Sequence, residues 1–242
     1  MPSKLAGLSG VLAAFLLAGC FTYSGPPSST ITASDSGVLV PTIRASVGGQ
    51  GPGEPSEARD GHAAEVNWSR ASGGGQQSLA SGQAPVRFGT QVFSGPAQLQ
   101  HDFDFGFLEV AYRFRHFFGG DVGIEALFGF AHANLDLTVA SGAQLASEAM
   151  DSAGFTLGFG IIGRLRPGTS VQGRVMLFGT GSDSNISSAQ RFELSLVQSV
   201  WRHAALRAGY VFWRIDSERE YSDGSPVKVK FSGPTLGFDL AF

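Results

Sequence analysis

One cysteine, Cys20, occurs in 242 residues, so no intrachain disulfide can staple the fold. Charge is scarce as well. Asp, Glu, Lys and Arg make up 15% of the chain, the formal net charge is −3, and no Lys/Arg block is present, which leaves no footprint for nucleic acid. Past the N-terminus no stretch holds the ~18 consecutive apolar residues that a membrane helix needs. Catalytic and metal-binding patterns are missing too: no H-x-x-x-H or Cys/His spacing, no G-x-S-x-G elbow and no local H-x-S. The five histidines are His62, His101, His116, His132 and His203, and those at 101, 116 and 203 stand at strand starts or turns, which reads as a polar boundary role. No metal or cofactor is expected.

What remains is an apolar, Gly- and Phe-rich chain, 43% hydrophobic with 34 Gly and 20 Phe. It opens with a short region charged at Lys4, an apolar run from Val11 to Ala18, then Gly19 and Cys20, the pattern of a secretory signal. The segment "LAGC", Leu17 to Cys20, resembles the lipobox of bacterial lipoproteins. That resemblance implies cleavage before Cys20, acylation of its thiol and a covalent lipid as the one attached group. Phe21 stands where that family places Asp for inner-membrane retention, so the resemblance implies the outer membrane. Residues 1–19 are read as the signal, 20–36 as a flexible Ser/Pro/Thr-rich tether, and 37–242 as the folded domain.

Beyond the tether the dominant period is two. Alternation runs through 102–115, 121–139, 152–165, 169–180, 188–201, 204–217 and 227–242, which predicts seven successive strands. The connections at 116–120, 166–168 and 202–203 are short, whereas 140–151, 181–188 and 216–226 are longer and polar. Short turns at one end and long loops at the other are the signature of outer-membrane barrels. Aromatics near the turns, Phe117, Phe118 and Trp201, suit an interfacial girdle.

The fold class expected is therefore all-β, an antiparallel transmembrane β-barrel. Strand 102–115 descends into a short turn, and an N-terminus on the turn side requires an odd number of strands before it. Eight strands in total are predicted, with ten as the alternative. Candidate early strands lie at 37–49, 62–71 and 84–94, although "VRFGTQVF" also reads as a small hairpin turning at Gly89 and Thr90 within a long first loop.

In 188–201 the even positions are mostly apolar (Phe192, Leu194, Leu196, Val200) and the odd ones include Glu193, Ser195 and Ser199. In 155–165, Phe155, Leu157, Phe159, Ile161 and Leu165 oppose Thr156, Gly158, Gly160 and Arg164. The polar face collects Glu109, Glu125, Glu193 and Asp239 with Arg113, Arg164, Arg174 and Arg207. In an eight-strand barrel, whose interior just fits side chains, such balanced charge predicts a plugged lumen of ion pairs.

The closing segment "TLGFDLAF" carries Thr235, Gly237, Leu240 and a terminal Phe242, and resembles the C-terminal signal read by the barrel-assembly machinery. Together with the strands before it, the chain resembles the small OmpA/OmpX-like outer-membrane barrels over residues 37–242, from which its lipobox departs. The resemblance implies outer-membrane lipid and the assembly machinery as partners and a non-enzymatic structural or surface-interaction role. The alternatives are a lipid-modifying barrel enzyme using a histidine such as His132, a small pore, and a periplasmic lipocalin-like binder with its apolar face turned inward.

Overall fold

The computed structural model describes residues 30–48, 61–118, 121–181, 185–217 and 225–242. Cys20, the signal segment and the tether up to residue 29 lie outside these described residues. Among the described residues there are twelve strands and no helix: β1 (Ile31–Ser36), β2 (Val40–Val47), β3 (Gly61–Leu79), β4 (Val86–Phe88), β5 (Gln91–Phe93), β6 (Ala97–Phe118), β7 (Val122–Ser141), β8 (Gln144–Arg166), β9 (Thr169–Gly179), β10 (Ser188–Trp201), β11 (Ala204–Ser217) and β12 (Val227–Ala241). Strands β6 to β12 occupy the seven alternating stretches, because a period of two gives each strand one face for burial.

All but β4 and β5 form one large sheet, in the order β1-β12-β11-β10-β9-β8-β7-β6-β3-β2, with β2 also paired to β12. The sheet therefore closes in a ring. Its pairs are antiparallel except at the seam, where β1 and β2 both run parallel to β12. β1 pairs with residues 227–232 and β2 with 235–241, so the two continue one another along the same neighbour. The sheet thus has ten strands, the number of the alternative and not the favoured eight, and with β1 and β2 counted as one broken strand the ring is nine strands around. On that second count the expected odd number of strands ahead of β6 is not found, because closure at the seam is parallel and not antiparallel. In the structure the chain enters at the loop end.

Two further expectations are corrected. Residues 31–36, assigned to the flexible tether, form β1, since Ile31 and Ala33 bury on one side while the backbone pairs with β12. Residues 140–151 are not a long loop: β7 and β8 remain paired up to Ser141 and Gln144, and a tight turn at Gly142 (φ +60°) joins them. Glycine suits that left-handed position because it has no Cβ to clash.

The short hairpin β4–β5 does turn at Gly89 and Thr90. It lies over the loop end of the ring, tied by Ser225 N donating to Arg87 O (2.9 Å) and Arg87 N donating to Ser225 Oγ (3.0 Å). Its Val86, Phe88 and Phe93 are buried in the same apolar cluster as Leu99, Phe105, Trp213 and Phe231 from the ring.

Candidate functional site

The distribution of apolar side chains changes sides part-way along the ring. In β6 the buried residues Leu99, Phe103, Phe105 and Phe107 occupy odd positions, and the exposed Leu108, Val110 and Tyr112 include even ones immediately afterward. In β7 the exposed Ile124, Phe128 and Phe130 give way to buried Leu135, Leu137 and Val139. β12 does the same, from buried Val227, Val229 and Phe231 to exposed Leu236, Phe238 and Leu240. No register shift accompanies the change in the β6–β7 or β11–β12 ladders, so it is a true exchange of faces and not a bulge.

The ring thus has two halves. Toward the loop end its interior is an apolar plug and its exterior is polar, with Asp136, Asn134, Gln100 and Asp102 outward. Toward the turn end the exterior is apolar and the interior is charged.

The charged half is built on arginines that reach several carboxylates at once. Arg174 on β9 places Nη1 2.5 Å from Glu65 Oε1 on β3, and its Nε donates to Glu125 Oε1 on β7 at 2.7 Å. Arg113 donates to the other oxygen of Glu65 (2.5 Å), and Arg115 to the other oxygen of Glu125 (3.0 Å). A second group centres on Arg207, which holds Asp239 through two hydrogen bonds (3.0 and 2.5 Å) and Glu193 through one at 3.1 Å. Arg44 on β2 meets the remaining oxygen of Glu193 at 2.5 Å. The planar guanidinium fork makes this sharing possible, where a lysine would act as a point charge. Arg191 closes the layer from above: it lies 3.6 Å from Glu109 and 5.5 Å over the Trp213 ring, joining the charge layer to the plug.

Of the eight charges predicted for the lumen, seven lie within this interior. Arg164 is apart, at the turn-end rim with its guanidinium 4.7 Å over Phe117. Arg44, Glu65, Arg115 and Arg191 complete the network and were not expected from the sequence. Arg44 and Glu65 sit in the early segments whose strand status was open, yet "TIRAS" already alternates polar Thr42, Arg44 and Ser46 against Ile43.

Three of the C-terminal residues take part in the seam. Thr235 Oγ1 donates to Val40 O (2.8 Å) from a fully buried position. Gly237 faces Thr42 so closely that a Cβ would lie 2.2 Å from its carbonyl oxygen. Phe242 N donates to Ser46 O (2.9 Å), and its ring is exposed. Leu240 points outward with the apolar band.

Two titratable groups of the loop-end half are displaced from their ordinary pKa values. His101 is buried in the plug's wall with neither ring nitrogen hydrogen-bonded, and burial pushes its pKa down against the opposing pull of Asp102 and Asp35. On the outer face, the Ser72 hydroxyl (2.8 Å) and then Arg70 hold the Asp104 carboxyl below its usual range. His132 is also outward and exposed, 3.9 Å from Asp151.

A cavity of about 440 Å³ opens within the charged half and reaches the turn end at Arg166, Pro167 and Gly168. No cluster of His, Cys, Asp and Glu suited to a metal ion occurs among the described residues. Comparison with protein-family models, with curated proteins and with solved structures returned no match.

Proposed function

We propose that this chain is a non-enzymatic β-barrel lipoprotein of the bacterial outer membrane, of the small OmpA/OmpX-like type, with a structural or surface-interaction role. The observation that carries this reading is the exchange of faces. A polar interior under an apolar exterior has no use in water, where exposed Phe128, Phe130, Phe155, Phe159, Leu194 and Leu196 would form a large sticky belt. In a bilayer the same belt is solvated by lipid. Phe155 to Leu165 on β8 supply an outward apolar run, and ten steps of ~3.3 Å at a barrel tilt of about 40° rise roughly 25 Å, the height of the lipid-facing band in such barrels. The loop-end half, apolar inside and polar outside, follows the opposite rule and suits water.

The same division argues against a pore, because the plug of Phe105, Phe107, Trp213 and Phe231 and the β4–β5 hairpin fill the ring above the charges. It argues against a lipocalin-like binder for the turn-end half. The lipid-modifying alternative would use His132 and Asp151, but among the described residues no serine or threonine hydroxyl bonds to His132, so a nucleophile is wanting.

Because the chain enters at the loop end, a lipid on Cys20 would sit within about 35 Å of that end, the reach of ten extended residues up to Thr30. Anchor and long loops then share one side of the membrane. Membrane fractionation with heat-dependent gel migration tests the reading: a band that shifts on boiling and stays with membranes after carbonate washing is expected, and a soluble chain with unshifted migration contradicts it.

A further inference from the structure

We propose that the turn-end cavity binds a small water-soluble oxyanion, a phosphate or carboxylate group, between Arg44 and the arginines of its rim. This rests on the interior of the ring and not on membrane insertion. Seven arginines line the cavity against three carboxylates, Glu65, Asp121 and Asp239. Adding Glu125 and Glu193, which the same arginines bind within the buried charge layer, still leaves two positive charges unmatched among the described residues.

The excess has a location. Arg44 is only 4% exposed and lines the cavity, with Nη2 on Glu193, yet its Nε and Nη1 have no hydrogen-bond partner. Buried donors on a cation are costly to leave unmet, and an anion with several acceptor oxygens meets them directly. At the rim, Arg166 Nε donates to Thr169 Oγ1 (3.0 Å) and Arg164 lies over Phe117, and neither makes an ion pair among the described residues. They form a cationic entrance that raises the local anion concentration.

Shape supports the same ligand class. About 440 Å³ is the size of a pocket for a small metabolite. The wall is a continuous hydrogen-bonded sheet and the loop end is filled, so entry is along the axis from the turn end. A free anion can follow that route, whereas a lipid headgroup would have to bring its acyl chains into the charged interior.

The test uses the full chain in dodecyl maltoside micelles, whose headgroup carries neither phosphate nor carboxylate. Inorganic phosphate and then citrate are titrated calorimetrically at an ionic strength held constant with chloride. One saturable site for at least one of them is expected, weakened tenfold or more by Arg44→Gln and about threefold by Arg166→Gln. The second variant sits exposed at a turn and keeps the proposal testable if Arg44→Gln folds poorly. Phosphatidic acid added to the micelles should give no saturable heat. Absence of saturation with both anions, affinity unchanged in both variants, or binding of phosphatidic acid alone overturns the proposal.

Discussion

Arg174 on β9 bonds Glu65 on β3 at 2.5 Å although three strands of the ring (β8, β7 and β6) separate them one way and four (β10, β11, β12 and β2) the other, so the contact crosses the interior. Both side chains are almost wholly buried, at 3% and 2% exposure. Replacing Arg174 with Gln removes one cation from both Glu65 and Glu125, which keep only Arg113 and Arg115. A loss of about 3–5 kcal/mol is expected, since breaking a buried pair strands charge. Urea titration in micelles should show the lowered midpoint, and adding Glu65→Gln should recover part of it. An unchanged midpoint would mean that water, and not Arg174, compensates these carboxylates.

The seam makes a different demand. A Cβ at Gly237 would approach Thr42 O to 2.2 Å, and both sides of that contact are backbone-anchored. Gly237→Val should force β2 from β12, at a cost of about 3 kcal/mol or more given usual overpacking penalties. Gel migration without boiling reports it: the variant should run as an open chain, while Gly142→Asn at the β7–β8 turn should run as the parent does.

Position on the outer wall should decide what an added arginine does. Leu196→Arg lies in the exposed apolar band and should cost roughly 2–4 kcal/mol of stability in lipid. Gln100→Arg lies outside on the loop-end half and should change stability by no more than about 0.5 kcal/mol. Folding yield into lipid vesicles compares them, and equal yields would deny that the two halves meet different solvents.

His101 gives the loop-end half a pH dependence. Burial lowers its folded pKa beneath the ordinary value of 6.5, so the unfolded chain binds the proton more readily. The neutral imidazole's contribution is complete above about pH 6.5 and is lost as pH falls from there toward the lowered value. Denaturation midpoints measured on either side of that window should differ less in His101→Gln than in the parent. An identical difference in both would place the acid sensitivity elsewhere.

The strands β6 to β12 were legible because burial on one face writes a period of two into the sequence. The exchange of faces was equally written there, since apolar residues pass from Phe130 to Leu135, from even to odd, inside one strand. Read strand by strand, such a switch looks like a break in alternation and its meaning emerges only when neighbours switch at the same level. β1 was hidden for another reason. "ITASDS" offers only Ile31 and Ala33 to the interior, and its place is set by pairing with β12 almost two hundred residues away. Partners such as Arg174 and Glu65 could be assigned a common face from parity, but their contact depends on ring closure, which no local pattern encodes.

On the proposed function the turn-end half stands in lipid and the loop-end half in water. Nitroxide labels on single cysteines, in a Cys20→Ser background reconstituted into vesicles, measure it directly through relaxation by oxygen against relaxation by a water-soluble nickel complex. Labels at Phe128, Phe159 and Leu196 should favour oxygen, and labels at Gln100, Asp136 and Ser147 should favour nickel, with the change falling between Phe130 and Asn134 on β7. Nickel accessibility at all six positions would mean that the apolar belt stands in water.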